Sequence, residues 1–337
     1  RLVTARNDHV PLYVVEQGAT VGKKGERIVV RAPQKDEVSV RLIDLDHVAL
    51  YGNVQITAQA VRALAERDIP IFHHTYGGWL VSVTSGVLGI NVGLRVRQFA
   101  LSQSEYAALP IAKQLVVGKL KNQRTMLRRN ALGIEEKVLE ELSRLIRLAT
   151  EAHSTEQLLG IEGMGGKIYF SRFSKMLKAD HGFEMEGRNK RPPRDPVNAV
   201  LSFTYSLLVK DCLASLLAVG LDPYCGIYHA IRPGRPALAL DLMEEFRPLI
   251  ADSVTLQVFN NRVITEKDFT CRGGAVAMSD NARRAVIRTY EKRMETLARH
   301  PLFGYQASYR RTLAIQARLL ARAISGEIER YKAYTTR

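Results

Sequence analysis

The hydrophobic period of this chain changes once, near residue 90, and a chain with that break does not fold as one alternating α/β layer. Before the break, "LYVVE" (12–16), "RIVVRA" (27–32), "VSVRLIDLDHVALYG" (38–52), "IPIFHH" (69–74) and "WLVSVTS" (79–85) are rich in the β-branched and aromatic residues that fit a pleated, half-buried surface. The glycines and charges of "VGKKGER" (21–27) suit a hairpin. A single helix interrupts the strands: in "ITAQAVRALAERD" (56–68), Thr57 is placed to cap and Val61, Leu64 and Ala65 recur at helical spacing.

After the break the apolar residues recur at helical intervals through long segments, among them "PIAKQLVVGKLKNQRTMLRRNAL", "EEKVLEELSRLIRLATEA", "STEQLLGIEGMGGKIYFSRFSKML" and "DPVNAVLSFTYSLLVKDCLASLLAVG". Pro110 and Pro196 are each expected at a first helical position, where a missing N–H is harmless. The polar, basic, Gly/Pro-rich residues 181–196 read as a loop. The order predicts an α+β fold: an N-terminal β-rich, β-sandwich-like domain over residues 1–89, then a larger all-α domain over 90–337.

Charge follows the same boundary. Residues 1–90 hold ten Lys/Arg against nine Asp/Glu, a net of +1, whereas residues 91–337 hold 39 against 25, a net of +14. So concentrated a positive field draws in polyanions, and nucleic acid is the leading partner. Lys119, Lys121, Arg124, Arg128 and Arg129 form one basic run, and Lys190, Arg191, Arg235, Arg283 and Arg284 extend the candidate DNA surface. A membrane surface is the second candidate, but the sequence shows no amphipathic anchor with large exposed apolar residues and no apolar run of the roughly 18–20 residues of a bilayer span, so no membrane partner is expected. The first residues lack the order of a signal peptide, and Cys212, Cys225 and Cys271 are too scattered for a disulfide framework or zinc ribbon; a cytoplasmic protein is expected. The chain starts at Arg1 rather than Met, which fits a processed form or one segment of a longer polypeptide.

Against that basic background the acids stand out. Asp241 is followed at i+3 and i+4 by Glu244 and Glu245, which places all three on one helical face, and His229 precedes them. Carboxylates so spaced repel mildly, and the cluster reads either as a solvated acidic helix turn or as a set neutralised by a divalent cation; Mg²⁺ or Mn²⁺ suits oxygen donors, and an imidazole tilts the site toward manganese. Glu245 has an ordinary alternative as the ion-pair partner of Arg235 or Arg247, and His229 taken alone is better explained by core packing; the acids beyond it are what favour a ligand role. "GIEGMGGKIYF" (160–170) fails as a phosphate loop, because Gly166 stands where lysine is required and Ile168 follows Lys167. Its small residues instead suit close helix packing, with Glu162 the odd carboxylate among them.

Four stretches together, "KNQRTMLRR" (121–129), "LLGIEGMGGKIYFSRF" (158–173), "RPPRDPVNAVLSFTYSLL" (191–208) and "DPYCGIYHAIRPGRPALALDLMEEFRP" (222–248), resemble the CRISPR-associated integrase–endonuclease family, the first of the Cas families. The resemblance covers nearly the whole chain. It implies Glu162, His229 and Glu244 as catalytic residues and ligands of Mg²⁺ or Mn²⁺, with Asp241, Asn198, Ser202 and Tyr205 in support. It further implies attack of protospacer 3′-hydroxyls on phosphodiesters at a CRISPR repeat. The implied partners are double-stranded DNA, a second copy of the chain, the small ferredoxin-like second Cas protein and, as a fusion, the iron–sulfur Cas exonuclease. Two other readings of the same residues stay open: a metal-dependent nuclease of DNA repair or branched DNA, and a non-catalytic basic scaffold.

Overall fold

The computed structural model describes residues 9–86, 91–178, 183, 185, 187–189 and 192–336. Lys190 and Arg191 lie outside the described residues. The chain divides into two compact units, Arg1–Asn91 and Val92–Arg337.

In the first unit the glycine-rich stretch does form a hairpin, but with a partner the sequence hid. Thr20–Lys24 (β2) is itself a strand, paired antiparallel with Arg27–Arg31 (β3) so that Lys24 faces Arg27 across Gly25 and Glu26. Gly25 has φ 56°, the left-handed conformation that such a two-residue turn requires. Val10–Val14 (β1) belongs to the other sheet. The long 38–52 run is broken at residues 42–44 by a 3₁₀ turn into Val38–Arg41 (β4) and Leu45–Tyr51 (β5). With Gln55–Ile56 (β6), Ile71–His74 (β7) and Leu80–Thr84 (β8), the unit holds two four-stranded mixed sheets, ordered β1-β5-β7-β8 and β4-β3-β2-β6. The helix Ala58–Ala65 (α1) starts where expected: the Thr57 hydroxyl accepts the Ala60 N–H at 3.3 Å. Val14, Val21, Ile28, Val48, Leu64 and Ile71, from both sheets and α1, share one buried core.

The second unit is helical: Val92–Ser102 (α2), Glu105–Asn130 (α3), Glu136–Glu151 (α4), Thr155–Ser171 (α5), Pro196–Ala218 (α6), Ala237–Met243 (α7), Ser253–Asn260 (α8), Asp280–Met294 (α9) and Tyr309–Ile324 (α10). It also carries two antiparallel ribbons, Phe269–Arg272 (β9) with Ala275–Met278 (β10), and Leu297–Arg299 (β11) with Gln306–Ser308 (β12). Pro196 takes the first helical position of α6 behind an Asp195 cap. Pro110 does not take one: α3 begins earlier, at a Ser104 cap, and Pro110 lies within the helix.

Two helices correct the sequence reading. Among the described residues, α6 is long and apolar enough, by length and composition, to cross a membrane, although no run of that kind was expected. Yet 61% of that stretch is buried in the protein, and it carries the buried Lys210 and Asp211, so α6 is a core helix. In α5, Gly160, Gly163 and Gly166 have open space beside them, whereas a Cβ at Gly165 would overlap Leu120 of α3. Close packing therefore explains one glycine of the four, and it is the one that brings α5 against α3.

Candidate metal and DNA-processing site

Helices α3, α5, α7 and the loop before α7 build one acidic pocket. The loop is shaped by Asp241, which is fully buried on α7. Its Oδ2 accepts the backbone N–H groups of Ile227 at 2.7 Å and Tyr228 at 3.0 Å, and its Oδ1 accepts that of His229 at 2.8 Å. Gly226 allows this fold, since a Cβ there would stand 2.5 Å from the His229 carbonyl and 2.6 Å from Ala237 Cβ. The same carboxylate meets His229 Nδ1 at 2.6 Å. With Nδ1 donating to Asp241, Nε2 is directed into the pocket, the arrangement that suits a histidine for a metal or a proton. Asp241 is thus a positioning residue for His229.

His229 Nε2 faces Glu244 Oε1 at 3.8 Å. Glu244 is 1% exposed; Arg247 lies 3.0 Å from its Oε1 and Lys119 Nζ 2.7 Å from its Oε2. Neither oxygen receives a well-directed hydrogen bond, so the carboxylate is held by charge. Burial alone would raise its pKa, but Arg247, Lys119 and His229 hold it down at about 2. Glu162, on α5, pairs through Oε1 with the same Lys119 ammonium and accepts the Tyr228 hydroxyl at Oε2, 3.0 Å away. Glu162, His229 and Glu244, far apart in sequence, therefore converge, and a positive group stands between the two glutamates.

The acidic triplet does not share one face. Helix α7 ends at Met243, and a π-helical turn, Arg247–Asp252, follows. Glu245 points away from His229 and pairs with neither Arg235 nor Arg247. It accepts Tyr331 Oη at 2.5 Å, Gln316 Nε2 at 3.1 Å and the Tyr334 backbone N–H, which fastens the C-terminal residues to the helical unit. Burial without a cation pushes its carboxyl up to about 7.

Asn198, Ser202 and Tyr205 recur at i, i+4 and i+7 on α6 and face one cationic pair. Arg188 donates to Asn198 Oδ1 at 2.7 Å and to Ser202 Oγ at 3.1 Å. The guanidinium groups of Arg188 and Arg247 stand 5.4 and 5.1 Å from the centre of the Tyr205 ring. The Tyr205 and Tyr169 hydroxyls donate to Asp252 at 2.6 and 2.9 Å. Through Arg247 this array reaches Glu244, so the supporting residues bear on the pocket by way of arginine.

Some expected DNA contacts move. Lys119 is 6% exposed and belongs to the pocket, because its neighbours on α3, Leu115, Val116 and Leu120, turn that face inward. Arg283 is buried by the inward face of α9 and pairs with Asp280. Arg124 is half-buried, its Nε donating to the Leu139 carbonyl, and Arg284 reaches Asn281. Lys121, Arg128 and Arg129 are exposed, and Arg235 is half-buried. Sequence reasoning missed Lys119 in this role, Arg247, Arg188, Asp252 and Tyr228.

Carboxylates and an imidazole are donors that suit Mg²⁺ or Mn²⁺, and the nearly hydrogen-bond-free Glu244 carboxylate is a fitting acceptor for one. As placed, no three His, Cys, Asp or Glu side chains among the described residues close on a single point; Lys119 intervenes.

The β-rich unit is thus followed by a helical unit in which two glutamates and a histidine lie about one lysine, a site and fold found together in a family of DNA endonucleases. The family model for CRISPR associated protein Cas1 matches residues 12–292, and the chain belongs to that family. A Cas4 exonuclease/Cas1 endonuclease fusion of Rhodospirillum rubrum is 43% identical over 335 residues, 97% of this chain and 58% of the fusion, so the chain spans little more than half of that relative. A CRISPR-associated endonuclease Cas1 of Thermus thermophilus is 36% identical over 328 residues, 97% of both chains. A chain of a solved Cas6-RT-Cas1–Cas2 complex has the same fold, with a TM-score of 0.83 at 25% identity over 98% of this chain and 36% of that one.

Proposed function

We propose that this chain is a metal-dependent DNA integrase and endonuclease of CRISPR adaptation, acting in the cytoplasm. The observation that carries the reading is the convergence of Glu162, His229 and Glu244 around a cationic position in a chain of this family. Glu162, His229 and Glu244 would hold Mg²⁺ or Mn²⁺, which when bound stabilises charge on the phosphoryl oxygens and lowers the pKa of the attacking hydroxyl. Asp241 fixes the His229 ring so that Nε2 serves as ligand or proton carrier. The 3′-oxygen of a protospacer end forms a new bond to phosphorus, the repeat's own P–O bond breaks, and its 3′-oxygen leaves with a proton. One ester replaces another, so no nucleotide triphosphate is consumed, in keeping with the failed phosphate loop.

Exposed Lys121, Arg128 and Arg129, together with Lys190, Arg191 and Arg235, would follow the DNA backbone. The β-rich unit would join two copies of the chain, and the second Cas protein would complete the complex. The fusion relative supports a link to a Cas4 exonuclease. The test supplies a protospacer duplex and a supercoiled repeat-bearing plasmid in Mn²⁺. Covalent joining, lost in Glu162→Gln, His229→Ala and Glu244→Gln, is expected. Hydrolysis without joining would favour a repair nuclease, and activity unchanged in all three variants would favour a scaffold.

A further inference from the structure

The pocket contains a cation of its own, and we infer that Lys119 is its exchangeable occupant: its ammonium holds Glu162 and Glu244 together in the metal-free protein and is displaced when a divalent ion binds. This rests on the assignment of Glu162, His229 and Glu244 as the metal's ligands. Lys119 extends from α3, 6% exposed, and pairs with Glu162 Oε1 and, at 2.7 Å, with Glu244 Oε2. Two carboxylates from separate helical segments thus share that single side-chain nitrogen. A divalent ion needs the same oxygens at contacts of about 2.0–2.2 Å. An ammonium and a divalent ion cannot both occupy them, because like charges a few ångströms apart in a buried site repel strongly.

The exchange is sterically open. The lysine stem is four flexible carbons, and the pocket opens at Glu162 and His229, whose side chains are 19% and 12% exposed, while Glu244 is closed off at 1%. Arg247 does not compete in the same way: it holds Glu244 Oε1 and is steadied against Tyr205. The consequence is a carboxylate pair that stays assembled and neutralised until the metal arrives, with metal affinity set by the lysine it must displace.

The test titrates Mn²⁺ alone into the metal-stripped full chain by calorimetry, comparing wild type, Lys119→Met and Glu244→Gln. Lys119→Met is expected to bind Mn²⁺ about tenfold tighter or more, because it leaves Glu162 without its ion-pair partner and Glu244 with Arg247 alone, a deficit of positive charge that the metal fills; Glu244→Gln is expected to bind more weakly. Equal or weaker binding by Lys119→Met, with Glu244→Gln impaired, overturns the inference and leaves the ligand assignment standing. Unimpaired Glu244→Gln overturns both. A readout on wild type covers a variant that fails to fold: reductive methylation of Lys119, followed by mass spectrometry, is expected to be slow without metal and faster with saturating Mn²⁺. No change on adding Mn²⁺ also overturns the inference.

Discussion

Replacing Asp241 with asparagine isolates the residue that shapes the pocket without touching the proposed ligands. The carboxylate, itself fully buried, receives three backbone N–H groups, at 2.7, 3.0 and 2.8 Å, and the His229 ring at 2.6 Å. Each oxygen takes two donors, so whichever end receives the asparagine NH₂ confronts two N–H groups with a third donor. Two charge-assisted bonds are lost, each worth about 1.5–3 kcal/mol, and buried donors are left unmatched. The expected cost is about 3–6 kcal/mol, a large part of the about 5–15 kcal/mol by which domains are stable. Denaturant unfolding followed by far-UV circular dichroism reads the helical unit, which holds α2–α10. The fluorescence of Trp79, the only tryptophan, reads the β-rich unit. The dichroism transition should shift and the fluorescence transition should not. Mn²⁺ should bind about 10–100-fold more weakly, as when a residue that orients a metal-binding histidine is removed. A dichroism shift worth less than about 1 kcal/mol would show that the loop does not depend on this carboxylate.

Other expectations follow from single contacts. Glu245 and Asp252 have carboxyls raised by burial to about 7 and about 6, so each contributes stability that is complete below its unfolded pKa and is lost as pH rises through those values. Glu244, held at about 2, works oppositely and is lost only as pH falls through that value. Melting temperature in wild type should therefore fall from about pH 5 to 7, and Glu245→Gln should flatten that slope; an unchanged slope refutes the assignment. Gly165→Ala should destabilise by about 1–3 kcal/mol through its overlap with Leu120, whereas Gly163→Ala, with open space beside it, should stabilise by about 0.5–1 kcal/mol; chemical denaturation separates them. Arg128→Ala should lower the salt slope of duplex-DNA binding by about 1, whereas Arg283→Ala should leave the slope unchanged and lower stability, as filter binding at several ionic strengths and a melt will show.

The fold class was legible because the hydrophobic period changes near residue 90, and periodicity reports which face of an element is buried. Strand β2 was not, because its "TVGKK" carries glycine and lysine where strands usually carry branched side chains. The acidic turn could be seen but not its directions: residues spaced i, i+3 and i+4 share a face only while the α-helix continues, and α7 ends at Met243, before Glu244 and Glu245. Lys119 reads as one more basic residue of a solvated run. A signal was present in its setting, "QLVVGKL", where the helical neighbours one turn earlier, Leu115 and Val116, and the adjacent Gly118 and Leu120 are apolar or small, so a lysine there points inward. Arg283, followed by Val286 and Ile287, carries the same signal. Arg188 and Arg247 were not legible as partners of Tyr205, since three separate segments bring them together.

Anomalous diffraction at the manganese edge, from crystals of the full chain grown in Mn²⁺, bears most directly on the central claim. A peak bounded by Glu162, His229 Nε2 and Glu244 is the expected result. Manganese bound elsewhere, with Lys119 still bridging the two glutamates, would contradict it.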